Sequence, residues 1–199
     1  MDVITNDINI IIQALKSEEV VAIPTETVYG LAGSIFSEKA IKKIFEIKKR
    51  PYNCPLSVAV SSVEKINFIA KDIPEEAKLL IKKYLPGPLT LILEKKDTIS
   101  DIITSGSKYI GVRVPDNIYV REILSKISFP IVLTSANIHN YNNCTNAYQV
   151  QQQLGNKIKY IFNGGDCKIG KESTIVDFKN ENIKILRKGA IDLSKDLNF

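Results

Sequence analysis

The sequence predicts an α/β fold in which helices flank a twisted, mixed β-sheet. Helical and strand patterns alternate along the whole chain, and no repeat, low-complexity tract or linker-like stretch separates them. The composition is 44% hydrophobic and 25% charged, which is ordinary for a globular protein. A length of 199 residues fits one large domain or two small ones, and because no linker-like stretch divides the alternating elements, we predict a single domain over residues 1–199.

The first part of the chain contains two predicted helices. Apolar residues recur at helical spacing between residues 6 and 17 and predict the first helix. The buried strand EVVAIP comes next and leads into a predicted loop, PTETVYGLAG. Ser37 is a suitable N-cap for the second helix. The apolar face of that helix consists of Ala40, Ile41, Ile44 and Phe45.

Strands and helices continue to alternate in the rest of the chain. Short apolar runs predict the strands PLSVAV, LTLILEK, YIGVRVP, FPIVLTS, KYIF, STIVDF and IKILR, in that order. Helices are predicted from Pro74 to Leu85, over residues 117–127, and from about Thr145. The polar segments SANIHNYNN and NGGDCKIGKE are predicted to be loops.

Charge, cysteine content and the N-terminal segment narrow the class of protein. The net charge of +5 and the pI of about 9.0 favour a polyanionic partner, such as a nucleotide or a nucleic acid. The segment MDVITNDINI lacks the basic start of a signal peptide, and no apolar run approaches the roughly 20 residues that span a bilayer. Three widely spaced cysteines and one histidine predict neither a disulfide framework nor a metal site. We therefore expect a cytoplasmic protein that does not contact a membrane.

The segment FEIKKRPYNCPL places three consecutive cations before a proline. On a helical wheel, Lys48 falls on the same apolar face as Ile41, whereas Lys49 points away. Pro51 disfavours the helical conformation at Arg50, so the helix must end at Lys49 or Arg50. After that break, Lys48 and Arg50 can converge on one anion. The alternative is a lysine whose stem packs while its ammonium reaches solvent.

A second polar pair ends the predicted strand FPIVLTS. Ser135 and Asn137 are two residues apart and project to the same side of an extended chain. Loops beyond strand ends are the usual place for binding in α/β sheets, so this pair is a candidate for a site. Ordinary turn formation by serine and asparagine is the alternative.

The two pairs form the pattern K-x-R…S-x-N, and with it the chain resembles the YrdC-like family of threonylcarbamoyl-adenylate synthases. The resemblance covers nearly the whole chain through the segments IPTETVYGLAG, AIKKIFEIKKRP, GPLTLIL, GVRVPDN, LTSAN, STIVDF and ILRKGAI, in that order. It implies a YrdC-like domain with an open, basic concave face. It also implies that the chain ends where the catalytic domain of longer members ends.

The resemblance implies a reaction and its partners. Members of the family convert L-threonine, bicarbonate and ATP to threonylcarbamoyl-AMP and release pyrophosphate, and the product serves N6-threonylcarbamoyladenosine formation in tRNA. Mg²⁺ is expected with ATP, and tRNA threonylcarbamoyl-transferase proteins are expected downstream. Because a carbamate anion must approach a triphosphate, catalysis should depend on positioning and on cations rather than on a protein nucleophile.

The resemblance also assigns roles by position. L-Threonine would be bound by Thr27, Arg113, Ser135 and Ser173. ATP would be bound by Lys48, Arg50, Asn137, Thr145 and Arg187. The catalytic set would be Lys48, Arg50, Ser135 and Asn137, and no metal ligand is assigned. Without the resemblance, Arg113 and Arg187 could be solvated strand residues, Thr145 could be a helix N-cap, and Tyr29 could be core packing rather than pocket lining.

Three positions depart from the pattern that the resemblance implies. Cys54 stands where an asparagine is common, Ala59 where a histidine is common, and Tyr109 where a threonine is common. The asparagine and threonine would contact the nucleotide, and the histidine would lie near L-threonine. Asn53 is adjacent to Cys54 and can substitute for one of the missing groups.

The segment GDCKIGKES resembles the start of a phosphate-binding P-loop. Glu172 occupies the position where a P-loop has Ser or Thr for Mg²⁺. A P-loop also opens a helix, whereas the following STIVDF is predicted to be a strand. The sequence therefore argues against a P-loop nucleotidase.

A protein that binds tRNA or double-stranded RNA without catalysing a reaction, for example in ribosome maturation, is the alternative from another functional class. A basic face could be formed by Lys48, Arg50, Lys168, Lys171, Arg187 and Lys188. Such a binder needs only general basicity. It does not need Lys48 on an apolar face or Ser135 and Asn137 on one side of a strand, and these features favour the small-molecule pocket.

Overall fold

One mixed β-sheet organises the chain. The computed structural model describes residues 3–179 and 183–196, and in it ten strands form a sheet in the order β1-β8-β2-β3-β7-β4-β6-β5-β9-β10. The strands are β1 (Ile4–Thr5), β2 (Val21–Ile23), β3 (Gly30–Ser34), β4 (Ser57–Ala59), β5 (Leu89–Glu94), β6 (Tyr109–Arg113), β7 (Ile131–Ser135), β8 (Tyr160–Phe162), β9 (Thr174–Asp177) and β10 (Lys184–Arg187). The α-helices are α1 (Ile8–Lys16), α2 (Glu38–Lys48), α3 (Glu75–Tyr84), α4 (Asp101–Thr104), α5 (Ile118–Ile127) and α6 (Ala147–Leu154), and a 3₁₀-helix spans Glu64–Phe68.

The strand pairing places Ser135 and Arg113 on the same face of the sheet, because Arg113 is in register with Ala59 and Ile131. In the register of the sheet, Ser135 at the end of β7 lies beside Gly30 at the start of β3. Arg113 at the end of β6 lies beside Ala59, and the start of β9 pairs with the start of β5. The β1–β8, β2–β8, β4–β6 and β5–β9 pairs are parallel and the other pairs are antiparallel, so the predicted mixed α/β sheet is confirmed.

Two apolar clusters cover the two faces of the sheet. Along β2, Val21 and Ile23 belong to one cluster, whereas Ala22 belongs to the other. Because successive side chains of a strand point to opposite faces, the clusters lie on opposite sides. Helices α1 and α5 pack on the first cluster, and α2, α3 and α6 pack on the second. Burial of one Leu or Ile side chain contributes roughly 1.5–3 kcal/mol, so these layers hold the strand ends in place.

The caps of α2 agree with the sequence prediction. Ser37 is the N-cap, and its hydroxyl accepts a hydrogen bond from the backbone N–H of Ala40 at 3.2 Å. The helix ends at Lys48, and Lys49 adopts a left-handed conformation with φ of 51°. This confirms the predicted break between Lys48 and Arg50.

The eight strands and five helices predicted from the sequence are present, but the structure adds four elements. The segment GLAGS, predicted to lie in a loop, is the fully buried strand β3. It has two glycines and no β-branched residue, so its strand character comes from pairing with β2 and β7. A Cβ at Gly30 would lie 2.5 Å from Cδ1 of Leu133, so a larger residue there would displace that side chain. The short elements β1, α4 and the 3₁₀-helix were also not predicted.

The helices of the described segments have modest lengths. Within residues 3–179 and 183–196, none combines the length and the apolar character that crossing a bilayer would require.

Candidate active site

A cavity of about 520 Å³ lies over one face of the sheet, where alternate residues of β5, β6 and β7 line it. Its wall comes from the loop after β2, the segment after α2, strands β5 and β6, the end of β7, and the β9 and β10 region. Six predicted site residues line it, namely Thr27, Arg50, Arg113, Ser135, Ser173 and Arg187. The other three, Lys48, Asn137 and Thr145, lie outside this lining. The volume falls in the range of roughly 300–1,000 Å³ that is usual for small-molecule sites.

Lys48 is buried beside the cavity, with 1% of its surface exposed. Its ammonium donates hydrogen bonds to the backbone oxygen of Ser135, to the backbone oxygen of Asn137 at 2.8 Å, and to Oδ1 of Asn137 at 3.0 Å. Burial, and then the nearby charge of Arg50, lower the pKa of Lys48 to about 7. The interpretation that its ammonium reaches solvent is therefore wrong. Direct contact of Lys48 with carbamate or phosphate stays a prediction.

The side chains of Ser135 and Asn137 meet, although Asn137 lies in a bend beyond the end of β7 and not in extended chain as predicted. The hydroxyl of Ser135 donates to Oδ1 of Asn137 at 2.7 Å, and Nδ2 of Asn137 donates to the backbone oxygen of Tyr141 at 2.6 Å. The backbone N–H of His139 donates to the backbone oxygen of Lys48 at 2.8 Å. These bonds join the loop after β7 to the end of α2. We call Lys48, Ser135 and Asn137 the lysine cluster.

Arg50 turns away from the lysine cluster and lines the cavity. Its Nε donates to the backbone oxygen of Cys54 at 3.1 Å, and its Nη2 donates to that of Pro55 at 2.9 Å. The guanidinium is therefore held by the turn that follows it. Burial lowers the pKa of Arg50 from its ordinary value. Lys49 is exposed, as predicted for the member of the triplet that faces water.

Arg113 is buried at the end of β6, with 7% of its surface exposed. Its Nη2 donates to Oε1 of Glu26 at 2.6 Å and to the hydroxyl of Thr27 at 3.4 Å. The interpretation of Arg113 as a solvated strand residue is therefore wrong. Glu26 is itself 6% exposed, so the two charges form a buried ion pair.

The loop after β2 is held by its own threonines. The hydroxyl oxygens of Thr25 and Thr27 lie 2.7 Å apart in a hydrogen bond. The Thr25 hydroxyl also accepts from the backbone N–H of Thr27 at 3.1 Å and donates to the backbone oxygen of Val28 at 2.7 Å. Such local bonds fix the turn, so Thr27 reaches the cavity from a rigid segment.

Arg187 closes another side of the cavity. Its Nε and Nη2 donate to the backbone oxygen and the hydroxyl of Ser173, at 3.0 Å and 3.1 Å. Its Nη1 lies 2.8 Å from Oε1 of Glu172. The hydroxyl of Ser173 also bonds with that of Thr90 at 2.8 Å. Arg187 is thus half-buried and held in place, not an exposed strand end.

The cavity carries an excess of positive charge. We call Arg50, Arg113 and Arg187 the arginine wall. Lys179 also lines the cavity, and Glu172 contributes a carboxylate. Burial lowers the pKa of Arg187 from its ordinary value, as it does for Arg50. Fixed cations around one concave space attract a polyanion, and planar guanidinium groups suit carboxylate and phosphate oxygens.

Thr145 requires a correction. The N-cap of α6 is Asn146, whose side chain accepts from the backbone N–H of Gln149 at 3.0 Å, and the helix begins at Ala147. The hydroxyl of Thr145 donates to Oε1 of Gln149 at 3.2 Å. The helix-cap interpretation of Thr145 is wrong by one residue, and its contact with a nucleotide stays a prediction.

Tyr29 joins β3 to the loop of residues 163–172. Its hydroxyl donates to the backbone oxygen of Gly165 at 2.9 Å and accepts from the backbone N–H of Gly164 at 3.3 Å. Burial raises the pKa of Tyr29 to about 12. The side chain both lines the cavity and packs in the core. Pocket lining and core packing, the two alternatives for Tyr29, are therefore both correct. The segment GDCKIGKES is followed by the strand β9 and not by a helix, which confirms the prediction that it is not a P-loop.

Comparison with known proteins agrees with this geometry. The family model of Sua5, YciO and YrdC proteins, described as "Telomere recombination", matches residues 13–189. The chain belongs to this family. A relative from Pyrococcus abyssi, named threonylcarbamoyl-AMP synthase, is 39% identical over 181 residues, which are 91% of this chain and 53% of that protein. A Methanocaldococcus jannaschii relative is 37% identical over 189 residues, covering 93% of this chain and 88% of that protein.

A solved member of the Sua5, YciO and YrdC family shares the fold. The crystal structure of Pyrococcus abyssi Sua5 complexed with L-threonine matches with a TM-score of 0.89 and 39% identity, over 92% of this chain and 54% of that one. The present chain therefore spans about half the length of the Pyrococcus abyssi protein and most of the Methanocaldococcus jannaschii protein.

Three polar residues at the site were not predicted. Glu26 pairs with Arg113, Glu172 pairs with Arg187, and Thr90 bonds Ser173. The sequence carries a signal for two of them. Glu26 is the one charged residue between positions 20 and 37, and Thr90 interrupts the apolar run LTLIL. The role of Glu172 depends on the pairing of distant segments, which the local pattern does not show.

Two of the three departures from the family pattern lie at the cavity. Cys54 and Tyr109 line it, together with Asn53. Tyr109 has the ammonium groups of Lys108 and Lys179 at 5.3 Å and 5.2 Å from its ring centre. Ala59 is fully buried in β4 beside Arg113. The lost hydrogen-bond groups are thus replaced by a thiol, an aromatic ring and a methyl group.

Proposed function

We propose that this protein is an L-threonylcarbamoyladenylate synthase, a nucleotidyltransferase that acts in the cytoplasm. It would convert L-threonine, bicarbonate and ATP to threonylcarbamoyl-AMP and pyrophosphate, for N6-threonylcarbamoyladenosine formation in tRNA. The observation that carries the proposal is the cavity itself, which is lined by the arginine wall together with Thr27, Ser135 and Ser173. The names of the relatives and the L-threonine complex of the Pyrococcus abyssi protein support it.

The amino acid is proposed to bind at the end of the cavity that holds Arg113. The guanidinium of Arg113 would bind the carboxylate, because paired N–H donors match carboxylate oxygens. Thr27 and Ser173 would hydrogen-bond the polar groups of L-threonine, and Ser135, which lines the same cavity, would complete this site. A site built to bond the substrate hydroxyl would also discriminate against amino acids of another shape.

ATP is proposed to enter as its Mg²⁺ complex, with the metal as part of the substrate. Arg50 and Arg187 would bind phosphate oxygens, and Asn137 and Thr145 would contact the nucleotide. Among the residues that the structure describes, no group of three or more His, Cys, Asp or Glu side chains could hold a metal ion. Mg²⁺ commonly keeps its waters and binds through substrate phosphates, which fits this assignment.

The chemical step is an in-line substitution at phosphorus. The threonine nitrogen and bicarbonate give a carbamate with loss of water. A carbamate oxygen then forms a bond to the α-phosphorus of ATP, the bond from that phosphorus to the β-phosphate bridging oxygen breaks, and pyrophosphate leaves. The arginine wall would lower the repulsion between the two anions and hold them in line. The lysine cluster would keep the loop of Ser135 and Asn137 in its bonded position.

Binding of tRNA or double-stranded RNA is a second proposal, carried by exposed basic residues. Lys168, Lys171 and Lys188 are exposed and available to phosphates of an RNA backbone. Lys48 is buried and is not available, so the basic face expected from the sequence loses that member. Transfer of the product to tRNA threonylcarbamoyl-transferase proteins belongs to the same proposal.

The decisive experiment is pyrophosphate release from ATP by the purified protein, with bicarbonate and Mg²⁺. We expect release that requires L-threonine and that falls when serine replaces it. The Arg113→Gln variant, with its folding checked by circular dichroism, should lose the release that L-threonine stimulates. A folded protein that releases no pyrophosphate with L-threonine, and still binds tRNA with strong salt dependence, would overturn the enzyme proposal in favour of RNA binding.

A further inference from the structure

Glu26 is a buried charged residue that the proposed reaction does not yet use. Its carboxylate accepts from Nη2 of Arg113 through Oε1 at 2.6 Å. The second oxygen, Oε2, is buried and has no hydrogen-bond partner among the described residues, and the same is true of Nε of Arg113. Buried polar atoms are almost always bonded, so two such atoms on one ion pair call for an explanation.

The position of Glu26 separates it from the substrate side of the cavity. Arg113 and Thr27 line the cavity, whereas Glu26 does not. The carboxylate therefore contacts the guanidinium from behind the wall. A charge held in this way fixes the orientation of Arg113, because rotation of the guanidinium would leave a buried carboxylate without its cation.

The backbone around Glu26 is itself held on two sides. The hydroxyl of Thr25 bonds the next residues of the turn, as described above. From the opposite side, the backbone N–H of Ile169 donates to the backbone oxygen of Glu26 at 3.0 Å, and that of Gly170 donates to the backbone oxygen of Thr27 at 2.9 Å. The backbone of Glu26 is thus held by hydrogen bonds on both sides, and its carboxylate forms the ion pair with Arg113.

We propose that Glu26 is a positioning residue that orients Arg113 for the carboxylate of the amino-acid substrate. The inference rests on the proposed function, because it takes L-threonine as the molecule that Arg113 receives. Glu26 acts through Arg113 and does not touch the substrate. Its negative charge also offsets that of Arg113 in the absence of the amino acid, so the guanidinium stays ordered while the cavity is open.

The first test compares Glu26→Gln and Glu26→Asp with the parent protein in pyrophosphate release. Loss of the charged acceptor should raise the KM for L-threonine by about 10-fold or more and leave the KM for ATP within about 2-fold, as expected for one charge-assisted bond. Glu26→Asp should restore part of the affinity. Glu19→Gln, which removes a carboxylate from the ion pair with Lys43 away from the cavity, is the matched control.

A double-mutant cycle shows whether Glu26 acts through Arg113. In an Arg113→Lys background, Glu26→Gln should have little further effect on the KM for L-threonine, because the fork that Glu26 orients is already absent. Full additivity of the two changes would overturn the inference. A purely structural role for Glu26 would lower the melting temperature and leave the KM for L-threonine unchanged, which would overturn it as well.

A spectroscopic measurement separates this inference from the proposed function. The ¹⁵N–¹H resonance of Arg113 Nε, assigned by its loss in Arg113→Lys, should be sharp in the parent and broadened in Glu26→Gln. This measurement needs no turnover. A parent without threonine-dependent release would refute the enzyme proposal alone, whereas an unchanged Nε resonance in folded Glu26→Gln would refute the positioning role.

Discussion

The lysine cluster and the arginine wall lie next to each other and differ in how their cations are exposed. The ammonium of the first is enclosed by protein, whereas the guanidinium groups of the second line the cavity. Lys48 is enclosed, and three protein oxygens accept hydrogen bonds from its ammonium. Arg50 and Arg187 are each held along one edge by backbone or side-chain oxygens and also line the cavity. A lysine whose donors all bond to the protein fixes a loop, whereas an arginine with five donors can be fixed and still bind.

This difference divides the K-x-R…S-x-N pattern into two halves. Lys48 and Asn137 bond each other beside the cavity, and Arg50 and Ser135 line it. Lys48 and Arg50 are two residues apart in the sequence. Their side chains take different positions because Lys49, in the left-handed conformation, ends α2 between them. We therefore expect substitutions in the lysine cluster to affect geometry and turnover, and substitutions in the arginine wall to affect substrate affinity.

The largest effect is expected for Lys48→Met. The change removes the three hydrogen bonds that the ammonium donates to Ser135 and Asn137, and loss of these charge-assisted bonds should lower kcat by about 100-fold or more. Turnover should be measured by pyrophosphate release, with folding checked by circular dichroism. Lys49→Met, an exposed neighbour, is the control and should behave like the parent. A nearly unchanged kcat in Lys48→Met would show that the lysine cluster does not control turnover, and the proposed difference between the two regions would be wrong.

Arg187→Gln should weaken ATP binding. Loss of one charge-assisted contact to phosphate should increase the KM for ATP by about 10- to 100-fold. The KM for L-threonine should increase less. Lys184→Gln, an exposed cation on the same strand, is the control and should leave both constants as they are. If Arg187→Gln changes the KM for L-threonine more than that for ATP, the assignment of the nucleotide to this side of the wall is wrong.

The low pKa of Lys48 predicts a pH dependence of stability. The folded chain releases the proton near pH 7, whereas the unfolded chain keeps it up to about the ordinary lysine value of 10.5. Between these values the unfolded state binds more protons, so the free energy of unfolding should rise with pH by about 1 kcal/mol per pH unit.

Urea unfolding of the parent, Lys48→Met and Lys49→Met at pH 7.5 and 9 would measure this slope. The parent and Lys49→Met should share it, and Lys48→Met should lack the part that belongs to the buried ammonium. Identical slopes in all three proteins would mean that the ammonium of Lys48 keeps an ordinary pKa in the folded state.

The smallest effect is expected for Cys54→Asn at the rim of the arginine wall. An asparagine there adds one neutral hydrogen bond to the nucleotide and should lower the KM for ATP by about 2- to 10-fold. Cys54→Ala is the control, because it removes the thiol without adding a donor. If both variants bind ATP alike, Asn53 already supplies the contact at this point of the cavity.

The sequence predicted most of the strands and the burial of Lys48, but it did not predict the contacts that build the site. Apolar periodicity located the strands with strong patterns, but it missed β3, whose sequence GLAGS has no strand preference of its own. It placed Lys48 on the buried face of α2 correctly, because that position depends only on helical spacing. It did not reveal that the ammonium would bond the loop after β7, since the two segments lie 87 residues apart.

The sequence by itself determined which side chains carry charge, where α2 breaks, and that Lys48 lies on the apolar face of that helix. These properties follow from local backbone geometry. Only the tertiary structure decided that Lys48 is enclosed while Arg50 lines the cavity, and that Arg113 is held by Glu26. Burial and pairing of charges depend on the desolvation that distant segments impose together, and no local pattern contains that information.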